Sequence, residues 1–156
     1  MPSRLSHIEA APGAYRAMLQ LEHYVQNCGL EESLLNLIKT RASQLNGCAY
    51  CLDMHTKDAR AAGESEQRIY LLPAWREAPF YSERERAALA WTEAVTLIAK
   101  DHVPDDVYAA VHPHFSEEEL VNLTLAISTI NAWNRLAISF RAEVGSYQPA
   151  KKVAHS

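Results

Sequence analysis

Proline and glycine divide this sequence of 156 residues into segments in which apolar residues recur at helical spacing. Three or four residues separate successive apolar positions within a segment, which is the period of one face of an α-helix. Hydrophobic residues make up 48% of the chain, and glycine occurs only five times. This pattern predicts an all-α fold with one hydrophobic core, organised as one domain over residues 1–156.

Two motifs mark helix starts clearly. Ser82-Glu83-Arg84-Glu85 and Ser116-Glu117-Glu118-Glu119 are capping boxes, in which serine and glutamate satisfy free amide groups of the first turn. The helix that starts at residue 82 is expected to bury Trp91, Val95 and Ile98. The other predicted helices cover residues 12–27, 31–46, 48–62, 65–75, 104–111 and 116–144. The polar segment 145–156 is expected to be loose or bound to a partner.

Charge and apolar runs exclude several classes of protein. The net charge is −4, so neither nucleic acid nor an acidic membrane surface is an expected partner. No apolar run approaches the roughly 20 residues needed to span a bilayer, and Met1 to Ala11 lacks the regions of a secretory signal. Three cysteines, two of them at Cys-x-x-Cys spacing, do not resemble a secreted disulfide framework. We therefore expect a cytoplasmic protein.

The residues that carry chemistry are Cys48, Cys51 and His55. Their spacing of three and four residues places all three on roughly one face of a helix, where they reach the same reactive volume. Cys48 follows the predicted helix end at Asn46-Gly47, so the dipole of the next helix acts most strongly on its sulfur. His55 lies one turn beyond Cys51 and is placed to take its proton. The spacing alone leaves open which sulfur attacks a substrate.

Two structural interpretations compete with a redox pair. A zinc site needs four ligands, and the sequence has neither a second Cys-x-x-Cys nor a His-x-x-x-His, so no metal is expected. Two ordinary buried cysteines on a core helix are the other alternative, because free cysteine is often buried. Cys28, beside Gly29 at a helix end, is interpreted as a spare thiol.

The residues around the cysteine pair resemble a known family. Two stretches, LIKTRASQLNGCAYCLDMHTKDARAAGE over residues 37–64 and YLLPAWREAPFYSERERAALAWTEAVT further on, are similar to the AhpD-like alkylhydroperoxidases of the carboxymuconolactone decarboxylase superfamily. The resemblance covers about residues 31–143. It implies an AhpD-like helical bundle that assembles as a trimer or hexamer. It further implies that Cys51 is the cysteine that reacts with peroxide, that Cys48 forms the disulfide with it, and that His55 relays the proton.

One position departs from the family pattern. Members usually carry a glutamate twelve residues before the first cysteine, and this chain has Asn36 there. An amide does not accept a proton at neutral pH, so another carboxylate is expected to complete the relay. Glu31, Glu32 and Glu93 are the candidates, and we favour Glu93 because its helix is otherwise apolar. A charge on the solvent side of that helix explains Glu93 equally well.

The sequence therefore predicts a thiol peroxidase or disulfide oxidoreductase. It would reduce hydrogen peroxide or small organic hydroperoxides without a bound cofactor and would be reduced again by an external dithiol. One alternative is a decarboxylase-like enzyme of the same superfamily, a branch that does not depend on a cysteine pair. Another is a non-enzymatic oligomer that senses redox state or acts as a scaffold, in which the disulfide changes packing and does not turn over.

Overall fold

The structure, a computed structural model described over residues 1–151, is built from α-helices joined by short connections. No β-strand occurs in that range. The all-α prediction is therefore confirmed. The helices are α1 (His7–Ala10), α2 (Pro12–Gln26), α3 (Glu32–Asn46), α4 (Ala49–Ala61), α5 (Glu66–Leu71), α6 (Glu83–Thr96), α7 (Ile98–Asp101), α8 (Asp105–Val111) and α9 (Glu117–Phe140), with 3-10 turns at Leu72–Ala74 and His112–His114.

Helix α3 is the centre of the molecule, because it contacts α4, α6 and α9. Its apolar side is buried against α6 and α9 around the fully buried Ile38, Ala88 and Ile127. Burying a side chain the size of isoleucine contributes about 1.5–3 kcal/mol to folding, so this face fixes the position of α3. Both capping boxes are present, with Ser82 paired to Glu85 and Ser116 paired to Glu119.

Two predicted helix ends are wrong. α9 stops at Phe140 and not at Val144, because Arg141 adopts a left-handed conformation with φ +55° and its amide bonds back to the helix. The helix that starts after Ser82 stops at Thr96, and Ile98, expected to be buried, belongs to a separate short helix and is 53% exposed. In both cases a backbone turn interrupts an apolar pattern that continues beyond it.

A buried polar cluster fixes the end of α3 against α9. The Asn46 amide donates hydrogen bonds of 2.9 Å to both Asn131 Oδ1 and Asn134 Oδ1. Asn134 is fully buried and donates in turn to Ser43 Oγ at 3.1 Å. Buried amides with all partners present define one geometry, because an unpaired one costs about 1–3 kcal/mol. Cys48, the N-cap residue of α4 and two residues after Asn46, is thereby held in place.

Gly47 ends α3 in the left-handed region, with φ +67°, and directs the chain into Cys48. A Cβ at this position would meet no atom within 4 Å, so a substitution costs backbone strain alone. We expect Gly47→Ala to lower the free energy of unfolding by about 1 kcal/mol in a urea titration. Gly13→Ala in the first turn of α2, where the new Cβ makes an ordinary contact at 3.9 Å, is the matched control and should not destabilise. Equal losses in both variants would contradict this account.

Segments near both ends of the chain are bound to the helices; we call residues 3–8 and 145–150 the terminal segments. Arg4 donates through its backbone amide to the Phe140 carbonyl at 3.1 Å, and the His7 ring stacks on the Phe140 ring. Tyr147 donates its hydroxyl proton to Asp58 of α4 at 2.6 Å, and Lys57 donates to the Tyr147 carbonyl at 3.0 Å. The tail that was expected to be loose or bound to a partner is thus attached to α4 at Tyr147, and residues 152–156 lie outside the described residues.

No helix within residues 1–151 combines the length and the apolar character that crossing a bilayer requires.

Candidate active site

Cys48 and Cys51 form a disulfide at the first turn of α4, with their Cα atoms 5.3 Å apart. Cys48 is the N-cap residue of this helix, and its sulfur accepts a hydrogen bond of 3.3 Å from the Cys51 amide. After reduction the same amide and the helix dipole would stabilise a Cys48 thiolate. The pair is therefore close enough to open and close as a disulfide, as the spacing predicts.

A cavity of about 1000 Å³ opens beside the disulfide, and we call it the Cys51 cavity. Cys51 and His55 line it, whereas Cys48 is not among its lining residues within the described chain. Both cysteines are 1% exposed, so Cys51 reaches the cavity through a small part of its surface. The terminal segments, α2, α3 and α9 supply the remaining walls. Exposed side chains at its edge include Ile8 and Leu19. Of the two sulfurs, Cys51 is thus the one that a molecule in the cavity would meet.

His55 is 6% exposed, and its Nε2 atom has no hydrogen-bond partner in the described chain. Burial lowers the pKa of the imidazole to about 4, because the charged form loses hydration. The positive charge of Lys39 lowers this pKa further, and the negative charge of Glu22 raises it. His55 is therefore neutral at pH 7, with a ring nitrogen free to accept a proton or a hydrogen bond.

Glu22 and Lys39 form a buried ion pair in the wall of the same cavity. Glu22 comes from α2 and Lys39 from α3, and their side chains are 16% and 6% exposed. The second carboxylate oxygen of Glu22 accepts a hydrogen bond of 3.2 Å from the Trp133 indole of α9. Three helices thus bring a carboxylate, an ammonium group and an indole to one wall.

The structure does not place Glu93 in the Cys51 cavity. Its carboxylate is bound by Arg41 at 2.9 Å, by Arg76 at 2.6 Å and by the Trp75 indole at 2.8 Å. Desolvation would raise the pKa of Glu93, but these three donors keep it below its ordinary value. Glu93 is a half-buried member of an ion-pair cluster between α3, α6 and the 3-10 turn, so the geometry does not support the predicted relay role.

The remaining predicted candidates divide between the cavity and the surface. Asn36 and Glu32 line the Cys51 cavity, whereas Glu31 pairs with Arg84 at 2.9 Å. Tyr50, between the cysteines, is also a lining residue. Cys28 is a free thiol that donates to the Val25 carbonyl. Among residues 1–151, no three His, Cys, Asp or Glu side chains group as a metal site would require.

Neither Glu22 nor Lys39 was predicted as a site residue. The one available signal was Lys39 itself, because it follows the buried Leu35 by four residues and so shares its side of α3. A lysine at such a position rarely lies buried without a partner.

This fold and this cysteine geometry define an AhpD-like all-α protein, and comparison with known proteins agrees. The sequence profile of the carboxymuconolactone decarboxylase family matches residues 12–94, more than half of the chain. The chain belongs to this family.

Two proteins that share about half of their residues with this chain have no established function. The uncharacterized protein YdfG of Bacillus subtilis is 48% identical over 139 residues, which cover 89% of this chain and 95% of YdfG. The crystal structure of ATU0492 from Agrobacterium tumefaciens, a protein of unknown function with a suggested role as the antioxidant defence protein AhpD, is 49% identical. It superposes with a TM-score of 0.91, covering 94% of this chain and all of that chain.

A more distant structure supports the fold alone. An uncharacterized peroxidase-related protein with an alkylhydroperoxidase AhpD core, from Ralstonia eutropha JMP134, is 19% identical with a TM-score of 0.78. The match covers 89% of this chain and 74% of that chain.

Proposed function

We propose that this protein is a thiol-dependent peroxidase that reduces organic hydroperoxides, and hydrogen peroxide less efficiently. The observation that carries the proposal is the position of Cys51, which is disulfide-bonded to Cys48 and lines the same cavity as His55, whose Nε2 atom has no hydrogen-bond partner in the described chain. The suggested antioxidant role of ATU0492, 49% identical over nearly the whole chain, is consistent with it.

The geometry gives each group a role in a balanced reaction. His55 Nε2 takes the proton of the Cys51 thiol, and the sulfur attacks the terminal oxygen of the hydroperoxide as the O–O bond breaks. The departing alkoxide takes the proton from His55, which leaves an alcohol and a Cys51 sulfenic acid. The Cys48 thiolate then attacks the Cys51 sulfur, the disulfide forms, and the hydroxyl group leaves with a proton as water.

The oxidised pair must be reduced before the next cycle. Two electrons and two protons come from an external dithiol, which exchanges with the disulfide through a mixed disulfide. The protein itself needs no bound cofactor for either half of the cycle.

The size of the cavity supports an organic substrate. Cavities that bind small organic molecules have volumes of about 300–1,000 Å³, and the Cys51 cavity is at the upper end of this range. The aromatic rings of Tyr15, Tyr50 and Trp133 line it and would contact an apolar group. Hydrogen peroxide would leave most of this volume to water and gain no such contact.

We expect the reduced protein to consume cumene hydroperoxide over many turnovers with dithiothreitol as reductant, at a kcat/KM about tenfold or more above that for hydrogen peroxide. Stopped assays of residual peroxide measure both rates. Oxidation of one equivalent followed by no turnover would contradict the proposal and favour a redox sensor. Activity on a lactone acid that survives alkylation of both thiols would instead favour the decarboxylase-like alternative.

A further inference from the structure

The ion pair of Glu22 and Lys39 has no role in the reaction described so far. Both side chains are largely buried, and Glu22 accepts hydrogen bonds from Lys39 and Trp133 and a longer one, of 3.4 Å, from Gln26. Each charge loses its hydration, which costs several kcal/mol per ion, and the mutual attraction only roughly offsets that loss. Apolar residues of similar size would stabilise the wall equally well. Stability alone therefore does not explain the pair.

The position of the pair relates it to His55. Glu22 and Lys39 both line the Cys51 cavity, and both of their charges act on the His55 imidazole. His55 is neutral before the reaction and can accept a proton. In the proposed reaction it carries a positive charge while it holds the proton of Cys51. Burial opposes that charge, so the step needs a negative charge nearby.

We propose that Glu22 is the positioning carboxylate of this site, which acts through His55, and that Lys39 and Trp133 hold it in place. This inference rests on the proposed peroxidase function. Asn36, which stands where family members usually have a glutamate, lies one helical turn before Lys39 on α3 and lines the same cavity. In this chain the cavity therefore has an amide from α3 at that position, and Glu22 of α2 supplies a carboxylate to the same cavity. Glu22 thereby takes the place that the sequence analysis gave to Glu93.

The proposed role is electrostatic and requires no proton transfer to Glu22. When His55 becomes an imidazolium, the carboxylate stabilises it; when the alkoxide takes the proton back, His55 is neutral again. Lys39 lowers the pKa of His55 more than Glu22 raises it, so the imidazolium stays unfavourable and the proton is passed on and not retained. Opposite effects on His55 are therefore expected from removing the two charges.

Other groups also face the cavity and titrate or carry charge. They are His7, Glu32, Asp58, Glu143 and the lining tyrosines. Asp58 is engaged by the Tyr147 hydroxyl at 2.6 Å. A test must therefore report on His55 itself and not only on the pH dependence of the rate.

The test is a single-turnover measurement in a Cys48→Ser background, in which peroxide oxidises Cys51 once and no reductant is needed. We expect Glu22→Gln to slow Cys51 oxidation by cumene hydroperoxide about tenfold or more at pH 7, because each unit lost from the pKa of His55 reduces its imidazolium form tenfold. Glu22→Asp, which keeps the charge, should recover much of the rate. NMR titration of the His55 ring should show a lower pKa in Glu22→Gln and a higher one in Lys39→Met.

The matched control is Glu64→Gln. Glu64 is 14% exposed and paired with Arg68 at 2.8 Å, so it tests the loss of a comparable ion pair outside the Cys51 cavity. If Glu22→Gln slows the step no more than Glu64→Gln and leaves the His55 titration unchanged, the inference is overturned while the peroxidase proposal stands. If the Cys48→Ser parent does not react with peroxide at all, the peroxidase proposal itself fails.

Discussion

Cys51→Ser should abolish peroxide turnover, with a loss on the order of a thousandfold or more, because serine has no thiolate to attack the O–O bond. Cys51 lines the cavity and Cys48 does not, so we expect that Cys48 would not replace it. Residual peroxide in a steady-state assay with dithiothreitol measures the loss.

Cys48→Ser should give a different defect. Cys51 would still be oxidised once, and dimedone should trap its sulfenic acid, but no second thiol would close the disulfide. Turnover would then depend on slow, direct reduction by the external thiol. Cys28→Ser is the matched control and should leave the rate unchanged. Cys28 is a free cysteine whose thiol donates a hydrogen bond to the Val25 carbonyl. Equal steady-state activity of the parent and either site variant would remove this mechanism.

The second large effect is a loss of stability in acid caused by His55. The unfolded chain binds a proton at this residue near pH 6.5, whereas burial lowers the pKa in the folded protein to about 4. Between these values the unfolded state holds more protons, so the folded state loses stability as the pH falls. For the disulfide form the total contribution is about 3 kcal/mol.

Urea titrations at several pH values between 7.5 and 4 measure this contribution. His55→Gln has no group to protonate there, so its free energy of unfolding should fall less steeply than that of the parent below pH 6.5. Both proteins keep the same carboxylates, whose common contribution cancels in the comparison. Parallel curves for the two proteins would show that His55 is not buried as a neutral ring.

Local spacing was sufficient to predict that Cys48, Cys51 and His55 share one helix start. Cys48, Cys51 and His55 are separated by three and four residues, so a single helix brings them together without help from the rest of the fold. Both capping boxes are local in the same sense, and both are present. Polar contacts between residues within one or two helical turns of each other could therefore be predicted from the sequence.

The partner charges could not be predicted in this way. Glu22 reaches Lys39 only because the tertiary fold brings their side chains together, with α2 packed on α9 and α9 packed on α3. The two residues are 17 positions apart in sequence, and local spacing does not encode their contact. Glu93 was favoured on the apolar surroundings of its helix, but tertiary packing places Arg41 and Arg76 against it. A carboxylate on a mostly apolar helix can belong either to a proton relay or to a structural ion pair, and the residues that pack against it decide which.

The terminal segments are separate in sequence from the redox centre. The family profile spans residues 12–94, which contain the disulfide and His55, whereas both terminal segments lie outside it and still form part of the cavity wall. If the protein is the proposed peroxidase, the reacting atoms and part of the surface that meets the substrate are encoded in separate stretches of sequence. Substitutions in residues 3–8 or 145–150 would then alter substrate selectivity while the redox centre stays the same.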